Sequence, residues 1–126
     1  MSKTPLKCLV ADDEPLIGTF LREALAQQGY ETDTFTDGES ASKKLLQHNY
    51  ALVVSDVLMP HKTGVELIRE LRARGDLVPV VLMSSYLSEE VMAACSKLEH
   101  LACLQKPFSL SDLRRAVERA ISPIRC

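Results

Sequence analysis

Asp12 and Asp13, Asp56, Ser84 and Lys106 each stand at the end of a short apolar run: Leu9–Ala11, Leu52–Ser55, Val78–Met83 and Leu101–Gln105. If the four runs are parallel strands, their carboxyl ends share one sheet edge, where open α/β folds bind ligands. Three carboxylates, a hydroxyl and an ammonium then converge on one site. Neighbouring strand ends would crowd like charges and raise at least one carboxyl pKa unless a cation intervenes. Mg²⁺ suits the set because it takes hard oxygen ligands and keeps several waters. One or two carboxylates bind it directly and a third acts through water. Lys106 and Ser84 would hold phosphoryl oxygens from opposite flanks. A carboxylate nucleophile, a divalent metal, a lysine and a hydroxyl make a phosphoryl-transfer set, in which catalysis is mostly positioning and charge neutralisation. Singly, each residue has a plainer reading. Asp12-Asp13-Glu14 would be a solvated turn before a helix, Asp56 a loop acid and Lys106 a surface charge. Together they make those readings poor.

The elements that must position these residues alternate from end to end. Leu6 to Ala11 reads as a buried strand. Pro15 to Gln28 reads as a helix with Ile17, Phe20, Leu21, Ala24 and Leu25 on one face and Gly29 as its stop. Tyr30 to Phe35 alternates like a strand, Thr36-Asp37-Gly38 signals a turn and cap, and a helix runs from about Glu39 to Gln47. Ala51 to Ser55 is continuously apolar, as a central parallel strand is. Gly64, Leu67, Ile68 and Leu71 line a third helix that stops near Gly75. Val78 to Met83 is the fourth strand, Ser88 caps a helix to Lys97, and Leu101 to Gln105 is the fifth strand. The last helix starts at Ser109, which forms a capping box with Asp112, and carries Leu110, Leu113, Val117 and Ile121. Five strand–helix pairs imply a parallel sheet covered on both faces, and too few units for an eight-fold barrel. The expected fold is a doubly wound α/β sheet of flavodoxin-like order, 2-1-3-4-5, with five helices.

The chain has 126 residues, one domain's worth, and carries 15 basic against 17 acidic residues. A net charge of -2 offers no field for nucleic acid or an anionic membrane. With no Trp and few Tyr and Phe, a base-stacking surface is not expected. No signal-peptide core and no membrane-length apolar run are present in the sequence, so a cytoplasmic location is expected. The four cysteines, Cys8, Cys95, Cys103 and Cys126, show no metal-ligand spacing. Cys8 and Cys103 read as small buried hydrophobes in a reducing compartment, and Cys126 as an exposed terminal residue.

The ordered set Asp12-Asp13-Glu14-Pro15, Asp56-Val57-Leu58-Met59-Pro60, Gly64, Ser84 and Lys106-Pro107-Phe108 resembles the receiver domain of two-component response regulators, the CheY-like superfamily. The resemblance covers about residues 6 to 121, with a flexible stretch at 1–5 and a tail at 122–126. It implies that Asp56 is the phosphoacceptor. Asp13 and Asp56 would bind Mg²⁺ with the backbone carbonyl of Leu58, and Asp12 would act mainly through water. Lys106 would contact the carboxylate or phosphoryl group, and the Ser84 hydroxyl would swing toward a phosphoryl oxygen. The donor would be a phosphohistidine on a sensor histidine kinase or phosphotransfer domain. The output would be a shift of the fourth helix, fifth strand and last helix that controls a partner or output domain, with a homodimer through the same surface allowed.

Three features depart from the family pattern. Cys103 stands three residues before Lys106, where an aromatic residue commonly reports phosphorylation. Glu99-His100 replaces a common Gly-Ala pair before the fifth strand, so the loop path is expected to differ. Leu58 and Tyr86 are expected near the line of attack on the phosphoryl group, where they would exclude water. Two other readings compete. A haloacid-dehalogenase-type phosphohydrolase would need an Asp-x-Asp motif, which Asp12-Asp13 does not supply, and room for a cap domain. A receiver-like module could instead signal through binding without phosphorylation.

Overall fold

The expected alternation of strands and helices runs through residues 6–122, the residues that the structure, a computed structural model, describes. The strands are β1 (Leu6–Ala11), β2 (Tyr30–Phe35), β3 (Leu52–Asp56), β4 (Val80–Ser84) and β5 (Leu101–Gln105). The helices are α1 (Pro15–Ala26), α2 (Gly38–Gln47), α3 (Gly64–Ala73), α4 (Glu89–Lys97) and α5 (Leu110–Ile121). The sheet order is β2-β1-β3-β4-β5, parallel throughout, as expected. Residues 1–5 and 123–126, Cys126 among them, lie outside the described residues.

Both faces of the sheet are covered, because successive strand residues point to opposite sides. Val10, Val54, Val81 and Met83 pack with Leu21, Leu25, Leu113 and Val117 of α1 and α5. Leu9, Val53, Val80 and Leu82 pack with Leu45, Ile68, Leu71 and Val91 of α2, α3 and α4. Every residue of β3 and β4 is buried, which is why those runs carry no alternation. Among the described residues, no helix is long and apolar enough to cross a membrane.

Local signals set the element ends. Asp37 caps α2 by accepting from the Ser40 amide, and Ser88 caps α4 through the Val91 amide. The Ser109–Asp112 capping box is present, and a second box, Thr63 with Glu66, opens α3. Gly29 and Gly75 follow α1 and α3 at φ 95° and 81°, a conformation that glycine adopts without a Cβ penalty.

Some boundaries and faces differ from expectation. β4 begins at Val80, not Val78, because Pro79 has no N–H to give the ladder, although its carbonyl accepts from the Val53 amide at 2.9 Å. The buried face of α5 is Leu113, Ala116, Val117 and Ala120, while Leu110 and Ile121 at its two ends rotate into solvent. Cys8 is fully buried, but Cys103 is not a free core thiol. β5 is an edge strand whose Ala102 and Leu104 point into the core, while Cys103 is half-buried on the side facing α4. There it is disulfide-bonded to Cys95 of α4, with Cα atoms 6.6 Å apart. Before β5, His100 takes φ 54°, and the Arg72 guanidinium donates to the carbonyls of Glu99, His100 and Asp76. The turn without a glycine is thus held from α3.

Candidate functional site

Backbone bonds between adjacent strand ends fix the positions of the polar groups. The Asp12 amide donates to the Phe35 carbonyl at 3.0 Å, Val57 to Met83 at 2.9 Å, and Lys106 to Ser84 at 2.8 Å. Each ladder is thereby extended one residue beyond a strand, which carries Asp12 and Lys106 to the edge where β3 ends in Asp56. Asp12 and Asp56 are buried, at 2% and 8% exposure, while Asp13 is exposed. One carboxylate oxygen from each of Asp12, Asp13 and Asp56 can be chosen so that all lie within 4.8 Å of one another. Such an arrangement fits a small hard cation, since three oxygen donors lie close together and one of them belongs to an exposed residue.

The Lys106 ammonium sits between the two buried carboxylates. It donates to Asp12 Oδ2 at 2.9 Å and to Asp56 Oδ2 at 2.9 Å, with Glu14 Oε1 further off at 3.9 Å. The remaining oxygens are held by backbone: Asp12 Oδ1 accepts from the Glu14 amide at 2.8 Å and Asp56 Oδ1 from the Leu58 amide at 3.3 Å. Burial pushes the Asp56 carboxyl above its ordinary range, against the pull of the Lys106 hydrogen bond and charge, and the neighbouring Asp12 adds to the rise. For Lys106, burial works to lower the pKa, but hydrogen bonds and charge from Asp12 and Asp56 outweigh it and hold the ammonium above its ordinary value.

Ser84 reaches the same edge and is buried, but its hydroxyl is turned into the following loop. It donates to the Tyr86 carbonyl at 2.6 Å and accepts from the Tyr86 amide at 3.1 Å. Leu58 and Tyr86 extend into solvent, at 70% and 74% exposure. The Lys106-Pro107 peptide is cis, and Phe108 beyond it meets Phe20 of α1 with ring centroids 6.2 Å apart.

One residue has a role at the site that its place in the sequence does not announce. Gly64, the first residue of α3, presses on β3. A Cβ there would lie 2.5 Å from the Asp56 carbonyl oxygen and 2.9 Å from the Leu82 side chain. A glycine followed by a helix, a few residues past Asp56, was the only available signal. Gly38 is similarly packed against the Lys62 carbonyl, in the loop that leads from β3 to α3.

The sequence matches the family model described as the response regulator receiver domain over residues 8–118. The chain is a response regulator receiver domain. Its likeness to curated relatives includes the transcriptional regulatory protein RprY of Bacteroides fragilis, 32% identical over 120 residues, covering 95% of this chain and 51% of RprY. The receiver domain thus spans about half the length of the curated relatives it matches. Among solved structures, it is similar to the chemotaxis response regulator CheY4 of Vibrio cholerae, at 27% identity and a TM-score of 0.80, covering 94% of this chain and 100% of that one. It is also similar to the response regulator TrrA of Thermotoga maritima, solved in complex with Mg²⁺ and BeF, at 32% identity and a TM-score of 0.76. That match covers 92% of this chain and 99% of TrrA. The expected CheY-like fold, and membership of two-component signalling, are therefore established for this receiver domain.

Proposed function

We propose that this receiver domain, residues 6–121, accepts a phosphoryl group on Asp56 from a phosphohistidine of a sensor histidine kinase or phosphotransfer domain. An Asp56 carboxylate oxygen forms the new O–P bond as the P–N bond breaks, and the imidazole leaves with the electron pair. Asp13, Asp56 and the Leu58 carbonyl would hold Mg²⁺, with Asp12 acting mainly through water. When bound, the cation supplies charge neutralisation for the phosphoryl oxygens. Lys106, already between Asp12 and Asp56, would move with the new charge and hold a phosphoryl oxygen. Ser84 would leave its turn with Tyr86 and donate to another. The response would be a shift of α4, β5 and α5 that changes the fit to an output domain, a partner or a second copy. A cytoplasmic setting accords with a kinase as donor.

The observation that carries this reading is the Lys106 ammonium within 2.9 Å of both Asp12 and Asp56, beside a third carboxylate. Incubation with acetyl phosphate and Mg²⁺, followed by mass mapping, should place one phosphoryl group on Asp56 and none in Asp56→Asn. A domain that takes no phosphoryl group from any donor, yet still binds its partner, would overturn this reading. It would favour a module that signals through binding alone, for which Cys103 in place of an aromatic is the supporting observation.

A further inference from the structure

We propose that Cys95 and Cys103 form a reversible thiol–disulfide modification site that, when closed, tethers α4 to β5 and holds α4 against the response to phosphorylation. The second half rests on the function proposed above; the first half does not.

Three observations carry it. The bond joins two elements rather than stapling a core. It closes a loop of sequence separation 8, whereas the sheet already has full apolar layers on both faces. Loops this short gain least from a cross-link, so the bond's main consequence is local. Second, α4 buries only Val91 and Ala94, against five residues in α3, so a covalent link weighs most on a weakly anchored helix. Third, both cysteines are half-buried and line a surface groove with Arg115 and Arg119 of α5. Those cations attract the carboxylates of a glutathione-class disulfide, although Glu118 in the same groove opposes them. Cys8 shows the contrast: it is fully enclosed, and burial pushes its thiol up, so it is a packing residue.

Closure proceeds by exchange. One thiolate attacks a low-molecular-weight disulfide and releases one thiol; the second cysteine then displaces the other thiol as the protein S–S bond forms. Two electrons and two protons pass from the cysteine pair to the reagent, which leaves as two thiols. The reverse reaction opens the site.

The test uses the full chain, equilibrated in mixtures of reduced and oxidised glutathione. Lys97 lies between the cysteines, so trypsin separates them unless they are bonded. The linked peptide should rise with the oxidised fraction and disappear when the reduced fraction is restored. Hydrogen exchange across α4 is then compared with and without Mg²⁺ and beryllofluoride. In the reduced protein beryllofluoride should alter α4 exchange; in the oxidised protein that change should be lost. Cys95→Ser and Cys103→Ser should respond alike under both conditions. Absence of the linked peptide, or an equal α4 response in both redox states, overturns the proposal. Phosphorylation of Asp56 in the reduced protein reports separately on the receiver function.

Discussion

Gly64 packs directly on Asp56: the backbone of α3's first residue approaches the Asp56 carbonyl so closely that a Cβ would stand 2.5 Å from it. The Gly64 amide also donates to the Val57 carbonyl at 2.9 Å. The start of α3 therefore sets where the end of β3, and the Asp56 carboxylate, can lie. Gly64→Ala forces backbone apart, because the obstructing atoms are a carbonyl and not a flexible side-chain tip. Overpacking of this kind costs about 1–3 kcal/mol. Urea denaturation should show that loss, and acetyl phosphate labelling of Asp56 should slow in parallel. An unchanged midpoint would mean that α3 gives way without cost.

Lys106 places one positive charge between two buried carboxylates. Lys106→Ala leaves Asp12 and Asp56 facing each other with no cation between them. Removing one partner of a buried ion pair can cost several kcal/mol, but the Lys106 side chain is 16% exposed, so about 1–3 kcal/mol is expected. Added Mg²⁺ should recover part of that loss in the variant if, as proposed, the ion binds the folded state through the same carboxylates. Thermal denaturation with and without Mg²⁺ checks this. A variant that melts like the parent would show that the ion pair contributes little.

Leu58 and Tyr86 flank the strand ends that carry Asp56 and Ser84, and both are exposed. If their bulk keeps water from the phosphoryl group, a polar residue that can orient water should shorten the lifetime of the acyl phosphate. Loss of label from phosphorylated Leu58→Asn should be several-fold faster than from the parent. Equal or slower loss would remove Leu58 from the explanation.

Far from the site, Tyr50 donates to Asp33 Oδ2 at 2.7 Å, with Lys7 Nζ at 3.6 Å from the same carboxylate. The Tyr50 hydrogen bond, then the Lys7 charge, hold the Asp33 carboxyl below its ordinary value despite some burial. A depressed folded-state pKa contributes stability that is present above the unfolded pKa and lost as pH falls through the folded one. Tyr50→Phe should cost about 0.5–1.5 kcal/mol at neutral pH. The difference from the parent should narrow below the ordinary carboxylate range, as Asp33 protonates in both. Denaturant midpoints measured across the acid limb test the sign: a gap that widens with acid would contradict it.

The strands and most of their order were legible because burial on both faces leaves an unmistakable mark. The continuous apolar run Ala51 to Ser55 carries the mark of a central parallel strand, and its end located Asp56. Hydroxyl and carboxylate caps at Asp37, Ser88 and Ser109 were readable because capping is a local bond between near neighbours in sequence. The α5 face was read one step too wide. Periodicity locates a stripe but not where the sheet ends beneath it, so Leu110 and Ile121 fell outside the covered area. Cys103 was misread because an edge strand has a half-open side, and what stands opposite depends on where α4 lands.

By itself, the sequence determined the alternation of elements, a parallel sheet and the placement of Asp12, Asp13, Asp56, Ser84 and Lys106 at strand ends. These follow from periods of two and 3.6 residues and from the handedness of strand–helix–strand crossovers, all short-range properties of the chain. Only the tertiary structure decided which partner each group takes. Lys106 chooses Asp12 and Asp56, Ser84 turns to Tyr86, Gly64 meets the Asp56 carbonyl and Cys95 meets Cys103. Such pairings depend on ångström-scale distances between elements, and those are set by how the apolar layers of the whole sheet pack.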